Sequence, residues 1–159
     1  MRKLLLILVL SIYSCSELNN KYEYIVKDQD FRTDVLINNS GNYIELKNGY
    51  TYFEEANQDS ETGTVVLVHG FSVPSYILET TFNSIEEKGF RVIMMDLYGR
   101  GFSDNPDLPQ TDELRANQVI ELLDRRNIKK ASLVGLSNGG RIISKIAYLK
   151  PEIVNELFY

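Results

Sequence analysis

The hydrophobic pattern of this chain changes once. Before the change, Tyr43-Ile-Glu-Leu-Lys47 alternates apolar and polar positions, meets Asn48-Gly49, and resumes as Tyr50-Thr-Tyr-Phe-Glu54. Alternation on either side of Asn-Gly predicts a β-hairpin. After a polar stretch from Ala56 to Gly63, alternation gives way to unbroken apolar runs: Thr64–Val68, Arg91–Met95 and Ser132–Leu136. Such runs predict strands covered on both faces, as in a parallel sheet. Helical spacing fills the intervals. Ile77, Thr81, Phe82 and Ile85 recur on one face, and Lys88-Gly89 ends that helix. Ala116, Val119, Ile120 and Leu123 form a second face, with Thr111 as cap and Asp112 and Glu113 in the first turn. Gly139–Leu149 predicts a third helix, stopped before Pro151, and Ile153–Tyr159 can begin a further strand. Tyr98–Gln110 is a long loop. A hairpin followed by alternating strands and helices predicts an α/β fold with helices on both faces of the sheet.

The first residues follow a different rule. Met1-Arg2-Lys3 is basic, Leu4–Leu10 is wholly aliphatic, and Cys15 follows directly after Ile12-Tyr13-Ser14. The run is short of the roughly 20 apolar residues that a spanning helix needs, so it reads as an export signal. Cys15, the only cysteine, resembles the lipid-bearing residue of a bacterial lipoprotein signal, although Tyr13 is bulkier than the residue usual there. An ordinary cleaved signal and an uncleaved anchor are the alternatives. The expected organisation is a signal over 1–15, a tether and irregular lead-in over 16–42, and one α/β domain over 43–159. The expected location is outside the cytoplasm, held to a membrane by lipid, facing the periplasm or the cell surface.

Length and charge narrow the partners. The 159 residues fit one domain, and the net charge of −5, with Lys and Arg scattered, gives no surface for nucleic acid.

The candidate chemistry lies in three loops at strand ends. Gly135-Leu-Ser-Asn-Gly139 is a G-x-S-x-G sequence between a strand and a helix, the context in which a serine is held on a sharp turn. Gly135 and Gly139 keep side chains away from that turn, and the helix start presents free N–H groups. Val68-His69-Gly70-Phe71 ends the first buried strand. There, a turn can aim a backbone N–H at the serine, making Phe71 and Asn138 the candidate oxyanion donors. Asp96-Leu-Tyr-Gly-Arg-Gly-Phe-Ser-Asp104 follows the second buried strand. Its glycines do not complete G-x-G-x-x-G and no Walker lysine-serine pair follows, so it reads as a structural turn, not a phosphate loop.

"VLVHGFS", "DLYGRGFSD" and "LVGLSNGG", in this order and separation, resemble the α/β-hydrolase family from about Tyr43 to the C-terminus. The resemblance implies that Ser137 is the nucleophile, that the Phe71 and Asn138 amides form the oxyanion hole, and that His69 shapes it with Gly70. It implies a small-molecule acyl substrate, with no cofactor and no metal. A serine at the elbow argues against the relatives that use aspartate there, and leaves ester, thioester and C–C hydrolysis open.

That family orders its triad Ser, acid, His. The 22 residues after Ser137 contain Glu152 and Glu156 but no Asp and no His. The sequence therefore predicts an N-terminal half of the fold, its C-terminal strands missing and an apolar sheet edge exposed: a fragment, a split gene product or a degraded gene. A serine hydrolase inactive as this chain is the first expectation. A non-catalytic remnant or binding module is the second. His69 as base, and Asp96, Asp104 or Asp124 as more than solvated or loop-capping groups, are weaker readings.

Overall fold

The structure, a computed structural model, describes residues 26–159. The signal and Cys15 lie outside the described residues. Six strands form one sheet: β1 (Asn42–Leu46), β2 (Gly49–Ala56), β3 (Thr64–Val68), β4 (Arg91–Met95), β5 (Ala131–Gly135) and β6 (Val154–Phe158). Their spatial order is β1-β2-β4-β3-β5-β6. The β1/β2 and β2/β4 pairs are antiparallel, and the remaining pairs are parallel. The hairpin turns one residue earlier than Asn48-Gly49 suggests, for Leu46 pairs with Gly49. Gly49 sits at φ 133°, where a Cβ would lie 2.9 Å from an Asp104 carboxylate oxygen.

The helices explain the apolar runs. Four helices are described: α1 (Gln29–Asn38), α2 (Glu79–Glu86, preceded by a 3₁₀ turn over Ser75–Leu78), α3 (Asp112–Arg125) and α4 (Asn138–Leu149). Val66 and Val68 of β3 join Ile93, Met95 and Leu133 in the core packed with Val119, Leu122, Ile142 and Ile146 of α3 and α4. The alternate residues Leu67, Val92 and Met94 pack with Leu78 and Phe82 on the α2 side. Both faces are buried, so both parities must be apolar. Thr111 caps α3 by accepting from the Leu114 amide. The chain passes from β3 to β4 on one side, then back over β3 to β5. Right-handed crossovers in opposite directions put α2 and α3 on opposite faces. The carboxyl ends of β3 and β5 flank the switch point where such sheets open a crevice.

Residues 16–42 are not irregular throughout, because α1 occupies Gln29–Asn38. Only Val35 of this helix is buried, so it has almost no apolar period to read. Polar contacts define it instead. The Asp28 carboxylate accepts from the Phe31 amide, and the Asn39 side chain donates to the Val35 carbonyl at the far end. Lys27 Nζ donates to the Gly101 and Ser103 carbonyls, which fastens the lead-in to the 96–104 loop.

At the other edge, β6 pairs with β5 through Ala131↔Val154 and Leu133↔Leu157. Phe158 of β6 and Tyr159 after it are exposed, and the Tyr159 hydroxyl hydrogen-bonds with Ser144 of α4.

Glu55 of β2 joins the sheet to the end of α3. Its fully buried carboxylate pairs with Arg91 of β4 through one oxygen and with Arg126 through the other. Glu55→Gln leaves two guanidinium groups facing a neutral amide. The expected loss is about 3 kcal/mol, measured by urea denaturation. A change within about 0.5 kcal/mol would show that the cluster does not carry this joint.

Candidate active site

The serine turn is built by glycines. Ser137 stands between β5 and α4 at φ 53°, ψ −115°, a backbone conformation that costs a non-glycine residue of order 1–3 kcal/mol. Its neighbours hold it there. The Leu136 amide donates to the Val68 carbonyl at 2.9 Å, and the Gly139 amide donates to the Leu136 carbonyl at 2.8 Å. A Cβ on Gly139 would lie 2.1 Å from the Val68 carbonyl oxygen. A Cβ on Gly135 would lie 2.6 Å from the Gly139 carbonyl carbon and the Gly140 nitrogen. Gly139 is therefore needed to bring the start of α4 against the end of β3, and Gly135 to bring it against the end of β5. The Ser137 residue is exposed, and among the described residues its hydroxyl has no hydrogen-bond partner.

Gly70 lies beside it. A Cβ there would be 3.3 Å from Ser137 Cβ and 3.8 Å from Ser137 Oγ. Phe71 and Ser137 line one cavity of about 170 Å³, together with Ser72, Val73, Ile77 and Leu136. Among the described residues, neither the Phe71 amide nor the Asn138 amide donates to a protein acceptor. Asn138 opens α4, so its N–H is one of the free donors at a helix start. Arg100 secures residue 71 from the other side. Its Nε donates to the Phe71 carbonyl, and its guanidinium lies 4.6 Å from the centroid of the Phe71 ring. The sequence singled out Phe71 but gave no sign of Arg100, which is 29 residues away.

His69 is fully buried, and both of its ring nitrogens are used. Nε2 accepts from the Leu97 amide at 2.9 Å, which places the ring proton on Nδ1, where it donates to the Gly70 carbonyl at 2.7 Å. The ring ties the end of β3 to the loop after β4 and shapes the turn that carries Gly70 and Phe71. It has no nitrogen left to take a proton from Ser137. Burial holds its pKa below the ordinary 6.5.

Asp96 caps its loop from inside. One carboxylate oxygen accepts from the Ser75 amide and hydroxyl, and the other from the Phe102 amide. A Cβ on Gly101 would lie 2.0 Å from that second oxygen. The loop's own carboxylate occupies the space a phosphate would need. Asp104 accepts from the Tyr50 amide and pairs with Arg32, and Asp124 is exposed on α3. Glu152 faces Lys150, and Glu156 lies on β6. None of these carboxylates is placed on the Ser137 hydroxyl. Among the described residues no group of three or more metal-ligating side chains could hold an ion.

The buried histidine gives a pH test. In the unfolded chain it takes a proton near pH 6.5, whereas the folded state resists it. The unfolded state then binds more protons below pH 6.5, so stability falls as pH falls from there, by at most about 1.4 kcal/mol per pH unit. Urea midpoints taken between about pH 7.5 and pH 5.5 should show this loss. His69→Gln should flatten it, whatever that variant's absolute stability. An equal slope in the variant would place the titrating group elsewhere.

Residues 63–158 match the alpha/beta hydrolase fold family. The chain is 31% identical over 103 residues to the AB hydrolase superfamily protein YisY of Bacillus subtilis, covering 64% of this chain and 37% of that one. It is 34% identical over 96 residues to an uncharacterized protein of Mycobacterium tuberculosis, covering 58% of this chain and 27% of that one. Among solved structures, the esterase EaEST from Exiguobacterium antarcticum superposes with a TM-score of 0.67 at 26% identity, over 74% of this chain and 43% of that chain. The chain thus spans less than half the length of these relatives. With its sheet order and its strand-turn-helix at Ser137, the chain belongs to the α/β-hydrolase family.

Proposed function

We propose that this chain carries the nucleophile and oxyanion half of a serine hydrolase acting on an ester or related acyl bond. The observation that carries the reading is the backbone of Ser137, held at φ 53° and ψ −115° with its side chain beside Gly70. In this reading Ser137 Oγ bonds to the carbonyl carbon of a small-molecule substrate while the carbonyl π pair moves onto oxygen. The Phe71 and Asn138 amides then stabilise that oxyanion, each worth about 3 kcal/mol. Collapse expels the leaving group, which takes a proton, and water releases the acyl group from Ser137. The serine proton must go to a base, and the only histidine in this sequence is already committed on both nitrogens. We therefore read the chain alone as inactive or nearly so, since an unassisted hydroxyl forgoes about 10²–10⁴-fold in rate. The same engagement of His69 favours the second reading, a non-catalytic member of the family that uses the crevice for binding only.

A fluorophosphonate separates the two readings. With the folded chain, added imidazole should speed formation of a covalent adduct on Ser137, recovering part of that 10²–10⁴-fold deficit. Ser137→Ala should form no adduct. A folded chain that stays unlabelled with and without imidazole supports the binding-only reading and rejects the nucleophile.

For location, we propose that Cys15 carries lipid and holds the domain to a membrane from outside the cytoplasm. Among the described residues no helix is long and apolar enough to cross a membrane. Cells given a labelled fatty-acid precursor should incorporate label in this chain, and Cys15→Ala should lose both the label and sedimentation with membranes. Unchanged sedimentation of that variant would reject the lipid anchor.

A further inference from the structure

A second cavity of about 370 Å³ lies under α1, apart from the one at Ser137. None of its lining residues belongs to the Ser137 cavity. The loop after β3 runs between the two: Val73 and Ile77 line the serine side, and Pro74, Ser75 and Tyr76 line the α1 side. The volume falls at the lower end of the range for small-molecule sites, about 300–1,000 Å³.

Rings supply the apolar part of the wall. Phe31 of α1 faces Phe102 with ring centroids 6.4 Å apart, and Phe102 meets Tyr52 of β2 edge-on at 5.1 Å. Pro74 and the exposed Tyr76 complete the apolar lining. The polar groups at the wall already have partners within the protein. Asp96 is occupied by three donors, one of them the Ser75 hydroxyl. Lys27 gives hydrogen bonds to the Gly101 and Ser103 carbonyls, and the Tyr52 hydroxyl donates to Glu54 while accepting from the Gly41 amide. Asn39 donates to the Val35 carbonyl. Burial also holds the Tyr52 phenol well above its usual pKa, so it stays neutral.

We propose that this cavity is a binding site for an uncharged aromatic or branched aliphatic molecule, distinct from the acyl site at Ser137. Entry of such a ligand displaces water from ring faces and breaks none of the wall's polar contacts, so its apolar area is gained without an unmatched polar group. A charged ligand loses hydration on entry and meets charge of its own sign: the Glu54 and Asp96 carboxylates oppose an anion, and the Lys27 ammonium, with two of its three donors already given to carbonyls, opposes a cation. The site stands or falls independently of the chemistry at Ser137.

Two fluorescent naphthalenes that differ in charge provide the test. N-phenyl-1-naphthylamine is neutral, and 1-anilinonaphthalene-8-sulfonate adds a sulfonate. With the full chain, the neutral compound should bind saturably at one site, at least about tenfold more tightly than the anion. Asn39→Trp, which projects a ring into the cavity from its rim, should weaken the neutral compound by about tenfold or more. Leu136→Ser, at the exposed apolar patch beside Ser137, should leave its affinity unchanged. Should Asn39→Trp fail to fold, nuclear Overhauser contacts from the naphthyl protons to the Phe31 and Phe102 rings in the unaltered chain decide the matter. Equal affinity for the two compounds, loss of binding in Leu136→Ser, or contacts only to residues outside this cavity would each overturn the proposal.

Discussion

The structure turns on a contact that only glycine permits. The backbone of Gly139 lies so close to the last carbonyl of β3 that a methyl group would stand 2.1 Å from it. From that approach follow the short turn between β5 and α4, the left-handed backbone of Ser137, and the direction of the first amides of α4. The sheet makes the approach possible, because β3 and β5 are parallel neighbours in register from Val65↔Ser132 to Val68↔Gly135. Two adjacent carboxyl ends, one followed by His-Gly and the other by Leu-Ser, therefore meet without a connecting loop. The strain at Ser137 is held by packing on both sides: Ile142, Ile143 and Ile146 of α4 are fully buried against the sheet. A small local cost is outweighed by burial that a relaxed turn would forgo.

Around this contact lies a set of buried polar side chains used for construction. Thr51, His69, Asp96, Ser103 and Gln118 are all buried near the end of β4. Gln118 of α3 accepts from the Tyr98 amide and donates to Thr51 and to the Asp96 carbonyl. Ser103 accepts from the Tyr52 amide and donates to the same carbonyl. Loops after parallel strands leave amides and carbonyls that no ladder can pair, and each unpaired buried group costs about 1–3 kcal/mol. These side chains supply the missing partners. Among the described residues, the one buried side-chain polar atom without a partner is Arg32 Nε. His69 belongs to this network, which is why a histidine beside a serine turn is not a base here.

What could be read from the sequence follows from what local pattern encodes. Thr64–Val68 and Arg91–Met95 were legible as strands covered on both faces because helices on both sides demand apolar residues of both parities. The turn at Ser137 was legible because close approach and a left-handed backbone can be met only by particular residues at fixed spacing. Helix α1 was not, since it buries one residue and is defined by caps and by Lys27 and Arg32 reaching the 96–104 loop. The hydrogen bond from Leu97 to His69 spans 28 residues and leaves no trace in spacing. The same holds for the hold of Arg100 on Phe71, and for a cavity whose walls come from α1, β2 and two loops.

The 96–104 loop therefore governs more than its own turn. From its start, Asp96 fixes Ser75, and from its middle, Arg100 fixes Phe71. Both residues lie in the stretch over 71–77 that separates the serine cavity from the ring-lined one. Phe71 is 64% exposed, so its side chain is not held by burial in the core. A carbonyl bond and a cation over its ring hold it instead, and its amide direction depends on them. The carboxylate of Asp96 is fully engaged in this task and is not available to orient a histidine from elsewhere. Under the proposed serine-hydrolase reading, a base for Ser137 would have to approach from the open side of the turn, past the exposed Leu136, where the hydroxyl is unengaged. The loop side of the crevice is built for rigidity, and in the proposed reading any reactivity of Ser137 is left to groups that face its exposed side.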